Sequence, residues 1–279
     1  MQKILLVIDG LQMDPGTLEF ACYLARLTKS KMTGVFLENL VADQRPVLKE
    51  TYDMPRLDWE IDNNSEDYRK KSETIEKNIL FFKEACSKRE VNCRIHRDRG
   101  VPAKEIIEES RFADVIVINA ETSFNKRYEG TPTEFVKDVL KYAECPVIIA
   151  PKNFDGIDEI IFSYDGSKSA MFAIKQFGYL FPEFSRTRAV LLEISGNTKP
   201  VIEEKYKVQE WMKTHYSNCD CKLLQGDVKD QLFSYLLPKK NVFVVMGSYG
   251  RNAISSVFKK SNADIVLKTA NLPLFITHI

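Results

Sequence analysis

Two stretches of this chain follow one plan. Ile4-Leu5-Leu6-Val7-Ile8 runs into Asp9-Gly10, and Ile160-Ile161-Phe162-Ser163-Tyr164 runs into Asp165-Gly166. Each apolar run is followed by residues with apolar side chains three and four positions apart, the period of a helix. In the first copy these are Leu18, Ala21, Leu24 and Ala25, and in the second Ala170, Ala173, Ile174 and Phe177. The match returns further on: Asp114 to Ile118 parallels Asn241 to Val245, and Cys145-Pro146-Val147-Ile148-Ile149 parallels Leu272-Pro273-Leu274-Phe275-Ile276. A repeat at this scale dictates the architecture before any detail is read, because each copy has to bury the same pattern.

The two registers differ. Asp9 and Asp165 stand 156 positions apart (165 − 9), whereas Pro146 and Pro273 stand 127 apart (273 − 146). The first copy therefore holds 29 additional residues (156 − 127), which fit the polar stretch at about 41–69 containing Pro46, Pro55, Trp59, Asn63 and Asn64. An insertion loop with a short turn of helix is expected there, covering a sheet end or meeting a partner. Pro151 to Gly156 breaks the strand pattern with Pro, Asn and Gly, so two domains are expected, 1–151 and 155–279. In the second copy strands are predicted at about 159–164, 188–194, 219–225, 242–246 and 273–278. Helices are predicted at about 168–180, 201–216, 228–237 and 261–270. Fully apolar strands alternating with helices imply a parallel sheet covered on both faces. With right-handed crossovers, the expectation is an α/β chain of two tandem doubly wound, Rossmann-like domains, each with a five-stranded parallel sheet. Ligands of such sheets bind beyond the carboxyl ends of the strands, where the strand order reverses.

Composition excludes several classes. The chain has 279 residues, 44% of them hydrophobic, enough for packed cores. Forty Lys and Arg against 39 Asp and Glu leave a net charge of +1, which argues against a non-specific nucleic-acid binder while leaving room for a local basic patch. No run approaches the ~20 apolar residues of a membrane span. The run Ile4 to Ile8 ends at Asp9-Gly10, far short of the apolar region of a signal peptide, so a cytoplasmic location is expected. Six cysteines, Cys22, Cys86, Cys93, Cys145, Cys219 and Cys221, are thinly spread and read as free, mostly buried thiols of a reducing compartment. Cys219 and Cys221 alternate on a predicted strand without a second ligand pair, so zinc is not expected. His96, His215 and His278 are far apart in sequence, and no catalytic triad can be built from them. There is no Gly-x-x-x-x-Gly-Lys-Ser/Thr loop and no Gly-x-Gly-x-x-Gly at the first helix.

The segment after the fourth strand of the second copy is the most informative. Met246-Gly247-Ser248-Tyr249-Gly250-Arg251 leaves a buried strand through two glycines, and a helix is expected to start at Lys260-Ser261. Gly247 and Gly250 permit positive φ and close approach to a ligand. A helix start at Ser261 offers unpaired N–H groups and a positive dipole end suited to phosphate, with Arg251, Lys259 and Lys260 adding charge. The same Gly-x-x-Gly also serves as a tight turn. Asp165 fits a turn or a helix cap as well as a ligand contact.

Tyr164-Asp165-Gly166-Ser167, Met246 to Arg251 and Lys260-Ser261 together resemble the universal stress protein (UspA-type) family, whose nucleotide-binding members carry Gly, two residues, Gly, nine residues, then Gly and Ser or Thr. The spacing is kept here, with Lys260 in place of the third glycine. The resemblance covers both copies. It implies a tandem member in which Asp165 and the backbone at Ile194 meet adenine or ribose, while Met246, Gly247, Gly250, Arg251, Lys260, Ser261 and Asn262 surround the phosphates of ATP, with Mg²⁺ accompanying them. At position 260 two effects oppose each other: a Cβ stands where glycine lets backbone approach phosphate, and an ammonium offers charge to the same phosphate. In the first copy the frame falls on Ala120, Ser123 and Thr133, with Glu121 adding negative charge, so no nucleotide is expected there. The resemblance further implies stress-linked regulation or protection through binding, pairing of the two copies within one molecule through their last strands, and a homodimer. No general base or nucleophile is visible, so the chain is not expected to be an enzyme and any ATP hydrolysis is expected to be slow. A nucleotide-free interaction scaffold, with the 41–69 insertion as its contact, is the alternative.

Overall fold

The computed structural model describes residues 1–39, 44–50, 55–61, 65–125, 127–195, 205–247 and 271–277. Among the described residues ten strands form one sheet. In the N-terminal half they are β1 (Lys3–Asp9), β2 (Lys31–Asn39), β5 (Cys93–Gly100), β6 (Val115–Asn119) and β7 (Val147–Ala150). In the C-terminal half they are β8 (Glu159–Tyr164), β9 (Arg188–Ser195), β10 (Cys219–Gln225), β11 (Val242–Gly247) and β12 (Leu274–Thr277). The order across the sheet is β10-β9-β8-β11-β12-β7-β6-β1-β2-β5. Each half therefore reverses between its first and fourth strands, β1 beside β6 and β8 beside β11. Every neighbouring pair is parallel except β12 with β7, which run antiparallel with Phe275 opposite Ile148.

The apolar strands are covered on both faces, as their composition requires. Ile4, Leu6 and Ile8 face one layer and Leu5 and Val7 the other. The first layer holds α1 (Pro15–Leu27), α2 (Glu66–Lys88), α5 (Lys168–Leu180) and α6 (Lys205–His215). The second holds α3 (Pro102–Ser110), α4 (Glu134–Tyr142) and α7 (Val228–Leu236). The first layer is one continuous core across both halves. Phe20 of α1 lies 6.1 Å from Phe243 of β11, ring centre to ring centre. Phe177 of α5 lies 5.0 Å from Phe243, 5.2 Å from Phe275 and 5.6 Å from Phe162.

The 41–69 stretch departs from expectation. Instead of a loop with a turn of helix, it contains an antiparallel hairpin, β3 (Gln44–Glu50) with β4 (Pro55–Ile61), and α2 begins within it at Glu66. The reason lies in the residues: Leu57, Trp59 and Ile61 alternate with Asp58 and Glu60, a strand period. Ser65 then accepts from the Tyr68 N–H at 3.2 Å and caps a helix whose first turn carries Glu66 and Asp67. The predicted helix at 261–270 lies outside the described residues.

Phe177 is fully buried among these rings. Phe177→Ala is expected to cost about 3–5 kcal/mol. In a chain of this size that lowers Tm by roughly 10 °C in calorimetry. A loss below about 1 kcal/mol contradicts the shared core.

Candidate functional site

The two reversal points are built from matching parts but differ at the start of the first helix. In the C-terminal half the chain turns tightly after β8. Asp165 accepts from the Ser167 N–H at 3.0 Å, Gly166 takes φ 81°, and Ser167 caps α5 by accepting from the Ala170 N–H at 3.0 Å. Asp165 thus makes the turn, while its second carboxylate oxygen has no partner among the described residues. Gly247, at the end of β11, abuts this helix start: a Cβ there would lie 2.4 Å from the carbonyl carbon of Ser169 and 2.5 Å from the Ala170 nitrogen. Glycine at 247 is therefore required by close strand-to-helix packing, a role the sequence reading did not give it. Met246 pairs with Ser163 on β8 and Ile276 on β12, and its side chain packs against the second layer. Ile194 is buried on β9, paired with Leu224. Gly250, Arg251, Lys260, Ser261 and Asn262 lie outside the described residues. Asp165, Met246 and Gly247 thus meet at the β8–β11 reversal, with Ile194 on the next strand.

In the N-terminal half the connection is longer. The helix cap follows Asp9 by five positions, at Asp14, where the second copy places Ser167 two positions after Asp165. The three extra residues lengthen the path from β1 to α1, and Ala120 replaces the glycine. The result is a cleft of about 770 Å³ beyond β1 and β6, lined among others by Asp9, Gln12, Asp14, Asn119, Glu129 and Lys152. Asn119, ending β6, bridges the gap: its Nδ2 donates to Asp14 at 2.7 Å and to the Thr17 hydroxyl at 3.3 Å, and its Oδ1 accepts from the Glu121 N–H at 2.8 Å. Asp14 in turn caps α1, accepting from the Thr17 N–H at 3.1 Å. A comparison of the two helix caps in the sequence contained this signal.

The charge of the cleft opposes an anion. Its lining includes Asp9, Asp14, Glu121 and Glu129 against Arg127 and Lys152. Lys152 is paired with Glu121 at 2.7 Å, and Glu129 is held by Ser123 at 2.8 Å and by Asn125. The start of α4 is also occupied: Thr133 accepts from the Val136 N–H at 3.3 Å and donates to the Thr122 carbonyl at 2.5 Å, and Glu134 follows in the first turn. A phosphate would meet a capped helix end and excess negative charge. These residues do not fit a nucleoside triphosphate. Burial raises the Asp9 carboxyl above its ordinary range, opposed by the N–H groups of Leu11 and Gln12. Among the described residues, no group of three His, Cys, Asp or Glu is placed to hold a metal ion.

Two predictions follow from this contrast. Gly247→Ala forces backbone apart and is expected to cost about 1–3 kcal/mol. Ala120→Gly in the open half, as a backbone-entropy effect, is expected to cost about 1 kcal/mol or less. Chemical denaturation measures both, and equal costs would contradict the packing asymmetry. Asp9→Asn keeps the acceptor for Leu11 and removes a charge that burial disfavours. Its Tm at pH 7 is expected to equal or exceed the parent's. Because the folded pKa of Asp9 is raised, the parent regains stability as pH falls through that pKa, so the gap closes on acidification. A gap widening toward low pH would contradict this.

No protein-family model matches the chain, and no curated protein matches it. Solved structures do. A universal stress protein from Archaeoglobus fulgidus aligns over 99% of this chain and 98% of its own, at 16% identity and a TM-score of 0.67. A putative universal stress protein from Pseudomonas aeruginosa aligns over 100% and 93%, at 14% identity and a TM-score of 0.59. A functionally unknown protein from Pseudomonas aeruginosa aligns over 100% and 92%, at 14% identity and a TM-score of 0.58. Identities this low establish the fold and nothing beyond it: along its whole length this chain has the doubly wound α/β fold of those universal stress proteins.

Proposed function

We propose that this chain is a tandem universal stress protein with domains at 1–151 and 155–279, in which the C-terminal domain alone binds an adenine nucleotide. It acts by binding, in stress-linked regulation or protection, and not by turnover. The observation that carries the reading is the contrast between the two reversal points. In the C-terminal half, Asp165 keeps a carboxylate oxygen without a described partner beside the end of β11, whereas carboxylates ring the N-terminal cleft. Adenosine would meet Asp165 and the backbone at Ile194. Phosphates, with Mg²⁺, would meet Gly250, Arg251, Lys260 and Ser261, the order in which the sequence spaces them. The ammonium of Lys260 supplies charge to the phosphates in this reading, and its Cβ limits how closely backbone approaches.

The near-zero net charge supports a role without nucleic acid. No helix among the described residues is long and apolar enough to cross a membrane. We assign the protein to the cytoplasm. The ladder between β7 and β12 already occupies each half's last strand. A homodimer would therefore form through another surface. The second reading, a nucleotide-free scaffold, draws on the β3–β4 hairpin, an element with no counterpart among the described residues of the C-terminal half.

Titration calorimetry with MgATP tests the first reading. Micromolar to low-millimolar binding is expected, with one site per chain. Because Gly247 is a packing residue, the diagnostic variants are Gly250→Asp and Ser261→Asp. Each is expected to weaken binding at least tenfold (about 1.4 kcal/mol) by setting a carboxylate against phosphate. Absence of binding at millimolar MgATP, or affinity unchanged in both variants, would leave the scaffold reading.

A further inference from the structure

Three of the six cysteines are brought together far from either strand reversal. Cys22 on α1 and Cys86 near the end of α2 are both fully buried in the first layer, and Cys93 at the start of β5 is partly buried against the same layer. The thiol of Cys86 interacts with those of both Cys22 and Cys93. Cys86 and Cys93 sit on either side of a tight turn, in which the N–H groups of Arg89 and Val91 both return to the Cys86 carbonyl, at 3.1 and 2.9 Å. The turn thus fixes the end of α2 over the start of β5. Cys93 shares its strand face with Arg97, which reaches back to Glu76 on α2 at 2.7 Å, so this face of β5 looks directly at α2. The three thiols differ in access: Cys93 is partly exposed, whereas Cys86 and Cys22 are both fully buried.

We propose that Cys93 and Cys86 form a modification site for a small hydroperoxide, Cys93 being the sulfur attacked and Cys86 the resolving thiol. The Cys93 thiolate attacks one peroxide oxygen. An S–O bond forms, the O–O bond breaks, and the second oxygen leaves as hydroxide, so that sulfur loses two electrons and the peroxide gains them. The Cys86 sulfur then attacks the sulfenic acid at Cys93. An S–S bond forms, the S–O bond breaks, and the hydroxyl leaves as water with the Cys86 proton. Overall two thiols and one hydrogen peroxide give one disulfide and two waters. The neighbouring thiols and burial raise Cys86 well above the ordinary thiol range while Cys22 is lowered, so Cys86 keeps its proton until the hydroxyl departing from the Cys93 sulfenic acid takes it as the S–S bond forms. An unassisted buried thiol is a poor first target for peroxide, which leaves the initial step to Cys93. Proximity to Cys86 then favours closure over further oxidation.

Peptide mapping of the full chain tests this. The native protein is treated with a small excess of hydrogen peroxide, free thiols are alkylated under denaturing conditions, and the chain is digested with trypsin without reduction. The expected product links the peptide Glu84–Lys88 to Glu90–Arg94. Cys93→Ser is expected to leave Cys86 reduced. Cys86→Ser is expected to raise dimedone trapping of sulfenic acid at Cys93 at least fivefold, because nothing resolves it. Exposed Cys221 serves as the internal measure of oxidation. The proposal is overturned if Cys86 and Cys93 remain unlinked once Cys221 is fully oxidised. It is equally overturned if Cys86 is cross-linked to Cys22 as readily in Cys93→Ser as in the parent, since oxidant would then enter without Cys93.

Discussion

The antiparallel ladder of β7 with β12 joins two five-strand halves into one sheet, and the rest of the molecule depends on that sheet being apolar on both sides. Strands such as Ile4 to Ile8 and Val242 to Val245 are almost wholly inaccessible. Helices cover each face, and one aromatic core runs from Phe20 through Phe243 to Phe177 across the junction. Polar chemistry within the sheet is thereby left to strand ends and to the edge strands β5 and β10. The two reversal points, β1 with β6 and β8 with β11, are where such ends open onto a crevice.

From this common frame the halves diverge through small local choices. In the C-terminal half a two-residue step from Asp165 to its helix cap brings α5 against Gly247. In the N-terminal half the step is five residues, and Asn119 joins β6 to the start of α1 by hydrogen bonds to Asp14 and Thr17. One half therefore sets its fourth strand directly against the first helix, and the other bridges the two by a polar network beside a cleft. The acidic lining of that cleft and the capped start of α4 make it a poor seat for an anion, despite its volume of about 770 Å³.

Much of the fold was legible because it follows from period and burial. The run Glu159 to Tyr164 is a strand at the predicted bounds, and so is Cys219 to Gln225; α5 spans the predicted 168–180. The hairpin in the 41–69 stretch was not read, because prolines and polar residues hid the alternation of Leu57, Trp59 and Ile61. The open cleft was missed for a different reason. Glycine loss at 120 was weighed as chemistry, whereas the spacing of helix caps, Asp14 against Ser167, sets where the first helix begins. Gly247 shows the converse, since its sequence signal fitted a ligand loop while its geometry serves packing. The thiol cluster left no mark in the sequence, because Cys22, Cys86 and Cys93 meet only once α1, α2 and β5 are packed. Gly250 to Asn262 lie outside the described residues, so the phosphate contacts rest on sequence spacing.

The central claim is that two copies of one fold have parted in function at their strand ends, leaving the C-terminal crevice as the nucleotide seat. Hydrogen–deuterium exchange of the intact chain, with and without saturating MgATP, reads this by location. Slowed exchange is expected at the turn after β8, around Asp165 to Ser169, and in the segment following β11, with no change around Asp9 to Asp14 or Asn119 to Thr133. Protection centred on the N-terminal cleft would contradict the account, as would no protection anywhere at millimolar nucleotide.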